Sequence, residues 1–364
     1  MRYFKSAALA LIFATCLSQA AAHASPIFNL TFISGTNAQA IVSFQAAANF
    51  WSSKFSNTVT LSLTVGTGSL SSGILGQTDP GIDLTSYSNF KTALTSHATS
   101  AFDAQAVASL SAGSSFTSYI NYTSDNPNGS GSATPYVSSG TANNTAIRLT
   151  SANAKALGLA ATAPFVTECG GSCDGFIEFS NAFTYDYDQS NGITSGAFDF
   201  TGLAVHELGH ALGFISGVDI LDGNSSAGTF YPASAFTYVA PLDLFRCSAA
   251  SASAGASLDF TADTRTKNFS LDHCATSLAT FATGSVHGDG RQASHWKDNL
   301  GLGIMDPTAA PGELLTVTAL DLAAFDAIGW ALAPVPEPSS LALGIGWGLA
   351  CVFRRRRLSR HAHG

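Results

Sequence analysis

The stretch "HELGHALGFIS", residues 206–216, decides how this chain is read. His206 and His210 stand four residues apart, with Glu207 beside the first. On a helix such residues share one face, so the two imidazoles can grip one metal ion. A catalytic zinc takes three protein ligands and keeps one position open. Only two are in this stretch, and the place where a third histidine often follows holds Ser216. Gly213 supplies the tolerance of positive φ that a chain needs to turn away from the helix. The helix is therefore expected from about Phe200 to Phe214, and the rest of the chain must supply the missing ligand.

Upstream, "IFNLTFIS" (27–34) alternates as a strand does, and "TVTLSLTVGTG" (58–68) reads as a second one. Between them Ile41, Phe44, Ala48 and Trp51 recur at helical spacing. Residues 90–112 read as one further helix, and 123–143, rich in Asn, Gly, Ser and Thr, as an exposed loop. "DGFIEFSNAFTYDYD" (174–188) is a strand candidate, with "GFIEFS" as the sheet edge beside the cleft. The body is thus a mixed α/β layer up to Gly213, then an irregular half.

Three kinds of residue can complete the metal site. The next glutamate after His210 is Glu313, more than 100 residues on by the printed numbering, in a loop flanked by Pro311 and Gly312. Asp219 is the nearest aspartate. The histidines before the tail are His273, His287 and His295; His97 lies upstream in a predicted helix. His287 sits among glycines in "VHGDG", and His273 precedes Cys274. His295, in "ASHWKD", is followed by "GLGIMDPT", which holds Met305, the one methionine besides the initiator. A lone methionine usually fills core, but here it follows a His-Trp pair and sits in a Met-Asp-Pro turn.

"AVHELGHALGF", "SHW" and the methionine turn together resemble the leishmanolysin-type metzincins, a family of zinc proteases. The resemblance implies that an insertion, here Phe214 to Ser294, separates the glycine from the third ligand. It implies His206, His210 and His295 as ligands of one zinc ion and Glu207 as general base and then acid. Met305 would be the hydrophobic floor beneath the metal, and Gly213 the residue that ends the helix. The implied fold is α+β: a mixed twisted sheet with long helices in an N-terminal subdomain (about 25–213), then an irregular, disulfide-stapled C-terminal subdomain (214–332). A peptide or protein is the implied substrate. The sequence departs from the family in showing no long prodomain and no cysteine free to silence the zinc.

The ends read as export signals. Arg2 and Lys5 precede an apolar run from Ala7 to Leu17, and Ala22-His23-Ala24 is a small-x-small cleavage site. Signal peptidase is thus expected to leave a mature chain starting at Ser25, with residues 1–24 as the signal peptide. At the other end, Pro336-Glu337-Pro338, a short apolar run from Leu341 to Phe353 and the cluster Arg354 to Arg357 resemble the PEP-CTERM sorting signal of Gram-negative bacteria. That resemblance covers 333–364 and implies transient inner-membrane association, processing by an exosortase and delivery to the cell surface or outside. A permanent tail anchor would need a longer run, ~20 residues.

Of six cysteines, Cys16 and Cys351 lie in these end segments. Cys169, Cys173, Cys247 and Cys274 remain, and an even count in an exported chain reads as two disulfides. Cys169–Cys173 with Cys247–Cys274 is the most local of the three pairings; a four-cysteine zinc site is the rival. "DYDQSNG", Asp186 to Gly192, has the look of a calcium loop, but its glycine is one place late for an EF-hand, which favours a plain acidic turn. Net charge is −8 with only 11% charged residues, and the one dense basic run is at the C-terminus, which argues against nucleic acid as a partner. The expectation is a secreted zinc endopeptidase. The alternative is a surface or matrix adhesion protein whose zinc site is structural or a relic.

Overall fold

A computed structural model describes residues 24–160, 162–224 and 230–334. The leader up to His23 and the tail from Val335 lie outside the described residues, as does the sorting signal read there. Among the described residues no helix is long and apolar enough to cross a membrane.

A four-stranded sheet carries the first half. Strand β1 (Ile27–Phe32) leads through helix α1 (Ala38–Lys54) to β2 (Thr60–Gly68), β3 (Gly76–Pro80) and β4 (Ile82–Ser86). Helices α2 (Tyr87–His97) and α3 (Ala101–Ser109) follow, then β5 (Ser118–Ile120), β6 (Tyr136–Ser138), β7 (Ala146–Thr150), α4 (Ser151–Ala156), β8 (Phe165–Val166), β9 (Gly171–Ser172) and β10 (Gly175–Ser180). The main sheet has the order β1-β2-β10-β3; β3 alone runs antiparallel to its neighbour. Leu61, Leu63 and Val65 of β2 alternate into the core, as do Ile177 and Phe179 of β10. Beneath them α1 lays down Phe44, Ala48 and Trp51, the stripe its helical spacing predicted. Phe44 stacks on Phe179 at 5.4 Å.

Three local expectations are corrected. The single helix over 90–112 is two helices. Ser100 caps α3 by accepting from Asp103 N, while the Asp103 side chain accepts from Ser100 N, and this capping box stops α2 from running on. Strand "GFIEFS" is interior; the edge is β3, "GQTDP". The loop 123–143 is not wholly exposed: β6 pairs with β5, and Asn126 and Asn143 are buried. Asn126 Nδ2 donates to the carbonyls of Ser132 and Thr134, which satisfies backbone acceptors that a buried loop would otherwise leave bare.

Strands β11 (Tyr185–Asp186) and β12 (Phe198–Asp199) bring the chain to α5 (Phe200–Leu212), which packs against α1 and β3. Beyond it lie α6 (Val218–Asn224), β13 (Arg246–Cys247), α7 (Ala249–Ser253), β14 (Leu258–Asp259), β15 (Lys267–Phe269) and β16 (Ala279–Phe281). The small sheet β13-β15-β16 is the regular part of this segment, while β14 crosses back to pair with β5. Helix α8 (Ala319–Ala327) returns to the first half, where Phe325 meets Trp51 edge-on at 4.8 Å. The class is α+β with open sheets, and the disulfides are Cys169–Cys173 and Cys247–Cys274. The second joins β13 to the loop after β15 and so staples the long excursion.

Candidate metal centre

Helix α5 starts where the Asp199 side chain accepts from Gly202 N at 2.9 Å. It ends at Gly213, whose φ of +123° lets the chain turn sharply. The turn puts the Phe214 carbonyl within 2.7 Å of His210 Nδ1. His206 Nδ1 lies 2.6 Å from the Ile304 carbonyl, and His295 Nδ1 3.3 Å from that of Gln292. A carbonyl can only accept, so each Nδ1 carries the proton and each Nε2 offers a lone pair.

Those lone pairs converge. His210 Nε2 is 3.1 Å from His206 Nε2 and 3.1 Å from His295 Nε2. With each proton held on Nδ1, neither contact is a hydrogen bond; three such acceptors repel one another unless a cation lies between them. Tetrahedral donors about 2.0–2.1 Å from a zinc stand ~3.3 Å apart, close to this spacing. His206, His210 and His295 thus form a group that could hold a metal ion, and an all-imidazole set suits zinc, copper, iron or nickel. Burial drives the His210 pKa down to about 3, with the charge of His206 adding to it and the Phe214 carbonyl opposing. His295 is likewise held well below its ordinary value, by burial first and then by His210 and His206. Both therefore remain neutral, as ligands must.

The segment bearing His295 is fixed from behind. Asp219 accepts from Ala293 N at 2.5 Å, from Ser294 N at 3.2 Å and from the Ser294 hydroxyl. Buried Arg246 donates to the carbonyls of Ala293 and Ala282. Ser216 donates its N–H to Ser294 Oγ and its hydroxyl to Asp243, so the place of a nearer third histidine is taken by a structural contact. Asp219 thus stands behind His295 and outside the histidine group.

Met305 lies under the helix. A Cβ on Gly209 would come within 2.6 Å of Met305 Sδ, so glycine there lets the turn approach. Asp321 organises that turn: it accepts from Ile304 N, Met305 N, Thr318 N and Trp296 Nε1. The Met305 carbonyl accepts from Trp296 N at 2.9 Å, so histidine segment and methionine turn are one hydrogen-bonded unit.

Glu207 is only 6% exposed and faces β3. Thr78 Oγ1 lies 2.6 Å from its Oε2 and 3.0 Å from its carbonyl oxygen. Burial raises the Glu207 pKa, while His206 and the Thr78 hydrogen bond act the other way. A Cβ at Gly76 would come within 2.2 Å of the Phe179 ring and 2.9 Å of Glu207 Oε1, so the missing side chain on the edge strand leaves room for both. Glu207, the three histidines and β3 line a cleft of about 640 Å³.

The remaining candidates lie elsewhere. His287 stacks on Tyr122 at 4.1 Å. His97 Nδ1 meets the Ala93 carbonyl within α2. His273 adopts a positive φ beside its disulfide. Glu313 Oε2 accepts from Ala310 N. Asp186 accepts from the N–H groups of Asp188 and Thr194, and Asp188 from Ser190 N, the pattern of an acidic turn. Thr78, Gly76 and Asp321 escaped the sequence reading, and Asp219 entered it only as a candidate ligand, because each acts across a long sequence separation. Only the Thr318-x-x-Asp321 spacing, a capping-box signature, marked one of them. No family model, no curated protein and no solved structure matches this chain.

Proposed function

We propose that this chain is an exported zinc endopeptidase of the leishmanolysin-like metzincin type. One observation carries the reading: three Nε2 lone pairs converge at the floor of a cleft with a buried carboxylate on the adjacent helix position. A structural metal site has no use for that carboxylate. His206, His210 and His295 would hold the ion, and Met305 would support them without taking part in chemistry. Bound zinc supplies a Lewis acid for the scissile carbonyl and lowers the pKa of water to ~7.

Glu207 would take the proton of the attacking water and pass it to the leaving amine, and its burial beside the histidines supports that role. Its raised proton affinity suits both halves of that task. Thr78 holds the carboxylate in one orientation while the group works. The outer edge of β3 faces the cleft, and an extended peptide can add to such an edge through main-chain hydrogen bonds. The leader and the PEP-CTERM-like tail favour delivery to the surface of a Gram-negative cell or beyond it.

The test is elemental analysis for zinc together with casein digestion, with and without chelator. Glu207→Gln should keep stoichiometric zinc and lose ~10²–10⁴-fold in hydrolysis. Wild-type turnover in that variant would refute the assigned role. Bound zinc with no hydrolysis by the wild-type protein would favour a structural site in an adhesion protein.

A further inference from the structure

Arg291 is the one Lys or Arg side chain lining the cleft among the described residues, in a chain of net charge −8. Its backbone is tied down, since the Arg291 carbonyl accepts from Gly284 N at 2.9 Å. Its side chain is aimed by a single contact, Nε to Asp298 Oδ2 at 2.9 Å, and Asp298 also accepts from Thr308 Oγ1 at 2.8 Å, tying Arg291 to the cleft residue Thr308. Asp298 engages only Nε. The end-on pair of guanidinium nitrogens has no partner among the described residues, and the side chain is 44% exposed. That pair matches the two oxygens of a carboxylate in a planar fork. The other acidic groups of the cleft compete weakly. Glu207 is held by Thr78, and Asp306 Oδ1 accepts from Thr308 N.

Resting on the protease reading above, we propose that Arg291 selects peptides carrying an Asp or Glu side chain close to the scissile bond. The fixed guanidinium binds that carboxylate end-on while the peptide backbone lies along β3. Arg291 is four residues before His295 in a segment anchored by Asp219 and Arg246, so the charge is presented at a set distance from the metal site. A substrate carboxylate there meets a cation already oriented by Asp298.

The experiment uses a set of quenched fluorescent peptides that place Glu or Gln in turn at each of three positions on either side of the bond. The wild-type enzyme should prefer Glu over Gln at one position by roughly tenfold in kcat/KM, most of it in KM, and the preference should shrink at high salt. Arg291→Gln should bring the ratio to about one, and Arg291→Lys should retain part of it, because charge remains while the fork is lost. Melting curves check that both variants fold. Zinc-loaded Glu207→Gln should bind the preferred Glu peptide more tightly than its Gln twin in a direct titration, a readout that needs no turnover. Hydrolysis without any Glu preference, or a preference that survives in Arg291→Gln, overturns this inference and leaves the protease reading standing. Absence of hydrolysis with discrimination still present in the titration supports the binding site and overturns the protease reading instead.

Discussion

Gly209→Ala sets two effects against each other inside α5. A helix-interior glycine is ~1 kcal/mol less favourable than alanine, so propensity alone makes the substitution stabilising. Its Cβ, however, would lie 2.6 Å from Met305 Sδ, 3.3 Å from Cε and 3.5 Å from Phe325 Cζ. Ordinary contact is ~3.5–4.0 Å, so the sulfur must retreat by roughly 1 Å. Met305 is fully buried on a turn pinned by Asp321, which leaves it little room to yield. Overpacking of this kind costs about 1–3 kcal/mol. The steric effect outweighs the propensity, leaving a net loss of up to ~2 kcal/mol. For a protein of this size that lowers the melting temperature by up to roughly 3 °C. The same turn carries the Ile304 carbonyl that orients His206, so zinc affinity should fall ~10–100-fold. Thermal melts of metal-free protein and competition against a chromogenic chelator measure the two effects separately. Met305→Ala should relieve the clash, so the double variant should lose less than the two single losses combined. A metal-free Gly209→Ala protein that melts above wild type and keeps its zinc affinity would refute the argument.

His295→Ala should lose stoichiometric zinc, whereas His287→Ala should keep it and Asp219→Ala should weaken binding ~10–100-fold without abolishing it; elemental analysis with chelator competition ranks them. Thr78→Val should leave zinc content intact but lower kcat, and remove one influence holding the Glu207 pKa down, so the acidic limb of the kcat–pH profile should move up. Asp326, between α8 and the Asp103 cap, is pushed up to about 7 by burial first and then by the charge and hydrogen bond of Asp103, against Ser100. Its folded pKa exceeds its unfolded value, so the folded state binds the extra proton and stability falls as pH rises from about 4 to 7. Asp326→Asn should therefore raise the melting temperature at pH ~8 and change it little at pH ~4, as melts across that range would show.

What the sequence disclosed was local or chemically rare. The spacing of His206 and His210, the glycine that ends their helix, and a single methionine after a His-Trp pair all survive without knowledge of distant partners. The disulfides follow from their short separations. Strand β3 stayed hidden because "GQTDP" has no apolar alternation and only Thr78 among its residues favours a strand; it is a strand because β10 pairs with it. The split between α2 and α3 was readable in Ser100-x-x-Asp103, but the apolar periodicity on both sides masked it. Buried Asn126 and Asn143 read as solvent-exposed polar residues, since only the folded chain shows that Asn126 serves the Thr134 carbonyl and Asn143 the Thr141 hydroxyl.

His210 and His295 are 85 residues apart, yet their Nε2 atoms lie 3.1 Å from each other. An ion held by both would act as a cross-link that closes a long loop, in the way a disulfide does. Closing a loop of ~100 residues removes unfolded-state entropy worth ~4–5 kcal/mol in the chain-entropy model. The ends of the excursion are also joined by Ser216, Ser294 and Asp219, so the folded protein already holds the geometry that the ion would lock. Scarcity of metal would then act on the lifetime of the whole molecule as well as on its chemistry. On the protease reading proposed above, a chain without its ion would be less stable and more open to digestion by metal-loaded copies.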